Sequence, residues 1–199
     1  MRLIKILMSA VLVSALLMSS AIPACADADV LEKDMIFRYM RDKRFTSSGT
    51  KLPYRMYVPE DYDEAQEYPL VVFFHGAGER GNDNRFQVIY PYSIVSRLLT
   101  EENRENYKCI IIAPQCAAGF QWVDTPWSKG SYSIDKVPES EFMKATVALI
   151  ESVKQEYSVA EDRIYVTGIS MGGFGTWDII SRHEELFAAA IPICGGGDP

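Results

Sequence analysis

Apolar residues along this chain fall into blocks, and the spacing within a block changes several times. Residues 35–46 and 51–58, on either side of Ser47-Ser48-Gly49, predict an opening antiparallel hairpin with its turn at those three residues. Tyr68-Pro69-Leu70-Val71-Val72-Phe73-Phe74 is a near-continuous apolar run, with the strand proper predicted over 69–74. Residues 109–113, 163–167 and 188–193 predict three further strands, 163–167 a buried one. Between them the period lengthens. Met143, Val147, Ile150, Val153 and Tyr157 recur every three or four positions, which predicts an amphipathic helix over 140–157. A shorter helix is predicted over 91–99 with Pro91 near its start, and another over 171–183. Residues 117–138, rich in Gly, Ser, Pro and Trp, have no period and predict a long excursion. Strands alternating with helices predict an α/β fold, a mostly parallel sheet flanked by helices with right-handed crossovers.

Chemistry enters at the ends of two of these strands. Gly168-Ile169-Ser170-Met171-Gly172 is a G-x-S-x-G pentapeptide between a strand and a helix, the context that makes this motif a nucleophile elbow. The turn is so tight that side chains flanking the serine would strike the neighbouring backbone, and Gly168, Gly172 and Gly173 remove the obstruction. Ser170 is therefore the predicted catalytic nucleophile, with its hydroxyl exposed at the strand's carboxyl end. Upstream, residues 69–74 run into His75-Gly76-Ala77-Gly78-Glu79-Arg80-Gly81. A strand ending in His-Gly-x-Gly lets a backbone N–H approach the carbonyl oxygen that becomes an anion in the transition state. The predicted oxyanion donors are the N–H groups of Ala77 and Met171.

The residues carrying these motifs resemble those of the secreted bacterial esterases of the α/β-hydrolase superfamily. That group spans carboxylesterase/phospholipase-like, feruloyl and acetylxylan esterase-like, and prolyl-oligopeptidase-like "predicted peptidase" members. The resembling segments are Leu52-Pro53-Tyr54-Arg55-Met56-Tyr57-Val58-Pro59, residues 75–84 (HGAGERGNDN), Ala113-Pro114-Gln115-Cys116, residues 165–178 (YVTGISMGGFGTWD) and residues 190–198 (AIPICGGGD). The resemblance is specific for the family and not for the substrate. It implies an α/β-hydrolase fold and a carboxylic ester hydrolase that forms an acyl-enzyme on Ser170. A prolyl-oligopeptidase-like serine peptidase and a non-catalytic hydrolase-fold binding protein are the alternatives. It also implies two more strands and a helix after residues 188–193, which deliver the triad acid and histidine. Residues 27–199 are accordingly expected to be the amino-terminal portion of such a domain, with its C-terminal strands missing and inactive by itself.

An activated serine needs a histidine and an orienting carboxylate, in the chain order Ser, acid, His for this fold. His183 follows Ser170 but lies along the same helix, about 19 Å away at 1.5 Å per residue, and Asp178 fails likewise at about 12 Å. His75 is either a base or a brace for the oxyanion loop, and Asp198 is a candidate acid. Trp122 is a candidate substrate-binding residue in the excursion, with Trp127 beside it; packing of that loop is the rival reading. Glu79, Arg80 and Asp83 are expected to stabilise the oxyanion loop, Arg80 alternatively touching substrate, and Trp177 is expected in the core.

Composition bounds the setting. Arg2 and Lys5, an apolar stretch over 6–22 and Ala24-Cys25-Ala26 make residues 1–26 an expected signal peptide, with lipid anchoring through Cys25 as the alternative. Removing that segment takes away two basic residues and no acidic one, so the net charge of −7 becomes still more negative. An acidic surface argues against nucleic acid or anionic membrane as partner and is ordinary for a secreted enzyme acting on neutral substrates; the resemblance implies a small-molecule or carbohydrate-linked ester. Cys109, Cys116 and Cys194 would remain, an odd number; Cys116 and Cys194 follow strand ends on the same edge and could pair. With no Cys-x-x-Cys and no histidine cluster, neither a metal site nor a cofactor is predicted.

Overall fold

The computed structural model describes residues 33–89 and 93–199. The export segment expected over 1–26 and the helix start expected at Pro91 lie outside the described residues. Strands β1 (Arg41–Ser47), β2 (Thr50–Tyr57), β3 (Tyr68–Phe74), β4 (Ile110–Pro114), β5 (Val159–Ile169) and β6 (Ala189–Ile193) form one sheet in the order β1-β2-β4-β3-β5-β6. β2 runs antiparallel to both β1 and β4. β3 is parallel to β4 and to β5, and β5 to β6, so the centre of the sheet is parallel. The helices are α1 (Lys33–Tyr39), α2 (Phe86–Ile89), α3 (Val95–Leu98), α4 (Glu101–Asn106), α5 (Glu141–Glu156) and α6 (Met171–Arg182).

The hairpin forms where the turn residues predict it. Ser47 pairs with Thr50 across Ser48-Gly49, whose φ values of 48° and 88° are both left-handed. That combination matches the right-handed twist of the flanking strands. Its first strand starts later than the sequence suggests, because residues 35–39 belong to α1. Ile36 and Met40, four positions apart, both enter the core, and the Met40 N–H donates to Ile36 O at 2.8 Å. Ile36 and Met40 stand one helical turn apart, and both join the core on one side of β3 and β4.

The central strands feed two cores. Leu70, Val72 and Phe74 of β3 and Ile110 and Ile112 of β4 pack with Met143, Leu149 and Ile150 of α5 and Phe174 and Ile179 of α6. Phe73, Ile111 and Ala113 face the other way, onto Ile36, Met40, Val95 and Leu99. Period-two side chains with both faces covered explain why these strands read as unbroken apolar runs. On α5 the buried stripe is centred on Phe142, Thr146, Leu149 and Val153, with Val147 at its margin, and Ser140 caps the helix by accepting from the Met143 N–H at 3.1 Å. Among the described residues no helix is long and apolar enough to cross a membrane.

A buried histidine ties the carboxyl ends of β3 and β4 together. The Cys116 N–H donates to His75 Nε2 at 2.9 Å, and a backbone N–H can only donate, so Nε2 is unprotonated. The ring proton therefore sits on Nδ1, which donates to Gly76 O at 2.6 Å. Burial pushes the His75 pKa down from 6.5 to about 4. Between those two values the unfolded chain takes up a proton that the folded chain refuses. Stability supplied by the neutral ring is complete above pH ~6.5 and is lost progressively as the pH falls toward 4. Urea midpoints measured between pH 7.5 and 4 should fall more steeply for the wild type than for His75→Gln. The difference accumulated across the window should reach up to about 3 kcal/mol.

Candidate active site

The turn from β5 into α6 is the most constrained point in the structure. Ser170 has φ 56° and ψ −116° and an exposed side chain. A non-glycine residue at positive φ is strained, and such strain persists only where its surroundings impose it. Here the Ser170 N–H donates to Ile193 O at 2.8 Å, and Ser170 O accepts from the Phe174 N–H at 3.1 Å. The flanking glycines are sterically required. A Cβ on Gly168 would lie 2.6 Å from the Gly172 carbonyl carbon and 2.7 Å from Phe74 Cβ. One on Gly172 would collide with the Phe74 carbonyl, 2.6 Å from its carbon.

The second loop lies against this turn. A Cβ on Gly76 would be 3.7 Å from Ser170 Cβ, so the backbone at 76–77 runs alongside the serine. Ala77–Glu79 is a single 3-10 turn. Ala77 and Met171 are the first residues of a 3-10 turn and of a helix, positions whose N–H groups have no acceptor within their own element. Arg80 donates through Nε to Ala77 O at 2.9 Å and through Nη1 to Phe120 O at 3.2 Å, so its guanidinium serves the loop backbone. Glu79 is buried, which raises its carboxyl pKa, while hydrogen bonds from the backbone of Glu79 and Gly76 oppose the rise.

Beneath the loop is a polar network that sequence reading missed, built from Arg55, Asn84 and Gln115. Asn84 has φ 54°, and its side-chain amide donates to Tyr54 O at 2.9 Å and Asp42 Oδ1 at 2.9 Å. Arg55 donates through Nε to Asn84 O at 2.6 Å and through Nη1 to Met40 O at 2.9 Å. Gln115 Nε2 donates to Asp83 Oδ1 at 2.8 Å. Burial alone would raise the Asp83 pKa, but hydrogen bonds from Gln115 and the N–H groups of Arg85 and Phe86 hold it below the ordinary carboxylate value. Asn84, Arg55 and Gln115 all stand inside the family-like segments, yet the partners described lie 15 to 42 positions apart in sequence, and no local pattern joins them.

Several expectations are corrected. Trp122, expected to line a substrate pocket, is fully buried. Its indole N–H donates to His75 O at 3.0 Å, its ring packs 4.7 Å from that of Phe74, and a Cβ on Gly175 would lie 2.7 Å from Trp122 Cβ. It braces the oxyanion loop against the elbow helix. Trp127 is the exposed tryptophan of the excursion, with the Arg80 guanidinium 5.8 Å from its ring centroid. Trp177, expected in the core, is 39% exposed. Asp198 Oδ2 accepts from the Ile134 N–H at 2.8 Å, which fastens the excursion to the loop after β6. Asp178 is paired with Arg182 and accepts from the Tyr132 hydroxyl at 2.8 Å. His183 Nε2 lies 2.8 Å from Glu139 Oε1 at the far end of α6. Both ring nitrogens of His75 are engaged by backbone groups, so neither histidine is free to take a proton from Ser170. Cys109, Cys116 and Cys194 are free thiols, and burial raises the pKa of Cys109 to about 11.

The site thus sets an exposed serine on a strained backbone, followed directly by Met171 and flanked by the loop at Gly76-Ala77, an arrangement suited to attack on a carbonyl. Residues 46–196 match a family model described as "Putative esterase". Among solved structures, a thermostable esterase is similar at 38% identity and a TM-score of 0.73, covering 82% of this chain and 43% of its own. Dipeptidyl-peptidase 5 of Porphyromonas gingivalis is 26% identical over 153 residues, 75% of this chain and 20% of the peptidase. Poly(3-hydroxyalkanoate) depolymerase C of Paucimonas lemoignei is 25% identical over 141 residues, 64% of this chain and 28% of the depolymerase. The chain spans less than half the length of each of these relatives. The matched span takes in strands β2 to β6, the elbow and the loop against it, and the chain belongs to the esterase family of the α/β-hydrolase fold.

Proposed function

We propose that this chain is the nucleophile-bearing part of a secreted serine esterase. The observation that carries the reading is the backbone of Ser170, held at φ 56° with its side chain exposed at the start of α6. Ser170 Oγ attacks the carbonyl carbon of a carboxylic ester. The developing oxyanion is held by the N–H groups of Ala77 and Met171, the alcohol departs, and water releases the acyl group from the serine. The imidazole that accepts the serine proton, and the carboxylate that orients it, come from outside the described residues. The substrate class is a small-molecule or carbohydrate-linked ester. The basic start, apolar stretch and Ala24-Cys25-Ala26 of residues 1–26 support export.

A peptidase reading has one observation in its favour, the similarity to dipeptidyl-peptidase 5. The same serine and oxyanion donors serve amide cleavage, so the nucleophile does not separate the two. The higher identity to the thermostable esterase favours ester hydrolysis.

Three measurements on the full-length protein test this reading. Ser170→Ala should lower turnover of a short-chain aryl ester by about 10⁴-fold or more; retained activity would remove Ser170 from the mechanism. Ala77→Val should lower kcat by on the order of 10²-fold with KM much less affected, because a branched side chain displaces one oxyanion donor. Acetyl, butyryl and feruloyl esters assayed beside a proline-containing peptide amide should show turnover of esters. Preferential amide cleavage would place the peptidase reading ahead.

A further inference from the structure

An oxyanion donor works only if its N–H is held in place before the charge develops. Residues 76–84 contain one 3-10 turn, Ala77–Glu79, and otherwise lack regular structure. Alongside Arg80, Arg55 and Trp122, the carboxyl end of β4 restrains them at several points. Gln115 is fully buried, and its three short side-chain hydrogen bonds all end on this segment. Oε1 accepts from the Asn84 N–H at 2.7 Å, and Nε2 donates to Glu79 O at 3.0 Å and to Asp83 Oδ1 at 2.8 Å. Both amide protons and one carbonyl lone pair are thereby used on the loop. Gln115 is itself anchored, since its N–H donates to Pro53 O at 2.8 Å on β2. The next residue extends the template, with the Gly81 N–H donating to Cys116 O at 2.9 Å and the Cys116 N–H donating to His75 Nε2 at 2.9 Å. The segment is thus gripped at residues 75, 79, 81, 83 and 84, leaving 76–78 toward Ser170.

We propose that Gln115 is the positioning residue of the oxyanion hole: through Glu79, Asp83 and Asn84 it sets where the Ala77 N–H stands relative to Ser170. The inference rests on the reading of Ser170 and Ala77 above. Gln115 touches no substrate and supplies no proton. Its effect is confined to the state in which the carbonyl oxygen carries charge, because the ground-state ester gains little from a well-placed N–H.

The test uses the full-length protein with Gln115→Met, which keeps the shape and removes every side-chain hydrogen bond, and Gln115→Glu, which keeps the acceptor for the Asn84 N–H but sets an oxygen acceptor against Glu79 O and Asp83 Oδ1. For each variant kcat, KM and the affinity for an aryl trifluoromethyl ketone are measured; that ketone forms a tetrahedral oxyanion adduct with an active-site serine. Gln115→Met should lose about 10- to 100-fold in kcat with KM within about threefold. Ketone affinity should fall by the same factor as kcat/KM, and Gln115→Glu should lose at least as much of both, because its new oxygen faces the acceptors Glu79 O and Asp83 Oδ1. Unchanged kcat in Gln115→Met overturns the proposal, as does a fall in kcat with undiminished ketone affinity. If the Met variant fails to fold by circular dichroism, the comparison of Gln115→Glu with wild type decides on the same criteria. Ser170→Ala run alongside separates the two readings. Activity surviving in Ser170→Ala overturns the nucleophile, whereas activity lost there but unaffected by changes at Gln115 overturns this inference alone.

Discussion

The structure hangs on one close approach, the backbone of Gly172 in α6 against the carbonyl of Phe74 at the end of β3. No side chain fits between them, and that contact forces the chain to leave β5 through a turn too tight for an ordinary conformation. Ser170 takes up the strain at φ 56°. Holding a residue in such a state costs on the order of 1–3 kcal/mol, which the surroundings must offset. Part of the offset comes from β6, whose Ile193 carbonyl accepts the Ser170 N–H and whose Ile191 carbonyl accepts from Thr167 Oγ1 at 2.7 Å. Once α6 is seated there, the Met171 N–H, the serine hydroxyl and the loop at Gly76 are brought together by the same packing.

A different physical logic governs the loop. The elbow is positioned by backbone sterics, whereas residues 75–84 are positioned by buried polar side chains. His75, Gln115 and Asn84 are all buried, and an unpaired polar group in that environment would cost about 1–3 kcal/mol. Each must find partners, and the geometry in which His75, Gln115 and Asn84 find them is highly restricted. Arg55 belongs to the same set. Burial lowers its pKa and Asp42 opposes the shift, while its guanidinium joins Met40 O to Asn84 O and so links α1, β2 and the loop. Trp122 completes the arrangement, an apolar ring whose single polar atom is satisfied by the carbonyl of His75.

This division bears on how one fold serves related hydrolases. The matched span includes the strained turn at Ser170 and the loop lying against it, the part of the fold shared with an esterase, a depolymerase and a peptidase. Residues 117–138 contribute surface of another kind. Phe120 and Trp127 are exposed, and Arg80 bonds the backbone at Phe120 while facing the ring of Trp127. A loop carrying exposed aromatics beside a rigid catalytic edge can vary without disturbing the machinery.

What the residues by themselves determined were the features set by neighbours in sequence. The Ser48-Gly49 turn, the two-sided burial of β3 and β4, the amphipathic α5 and the glycine-lined elbow follow from rotations and volumes within a few positions. The family resemblance was legible for the same reason, since its motifs are short and contiguous. Tertiary structure decided everything that depends on distant partners. Residues 35–39 became helix, with Ile36 and Met40 packed into the core that Val95 and Leu99 share, contacts distant in sequence. Trp122 went inward because Gly175, 53 positions later, leaves room for its ring. Gln115 and Asn84 acquired their role because β4 ends beneath the loop that follows β3. Hydrogen bonds and close contacts act over a few ångströms of space, and only the folded chain fixes which residues fall within that distance.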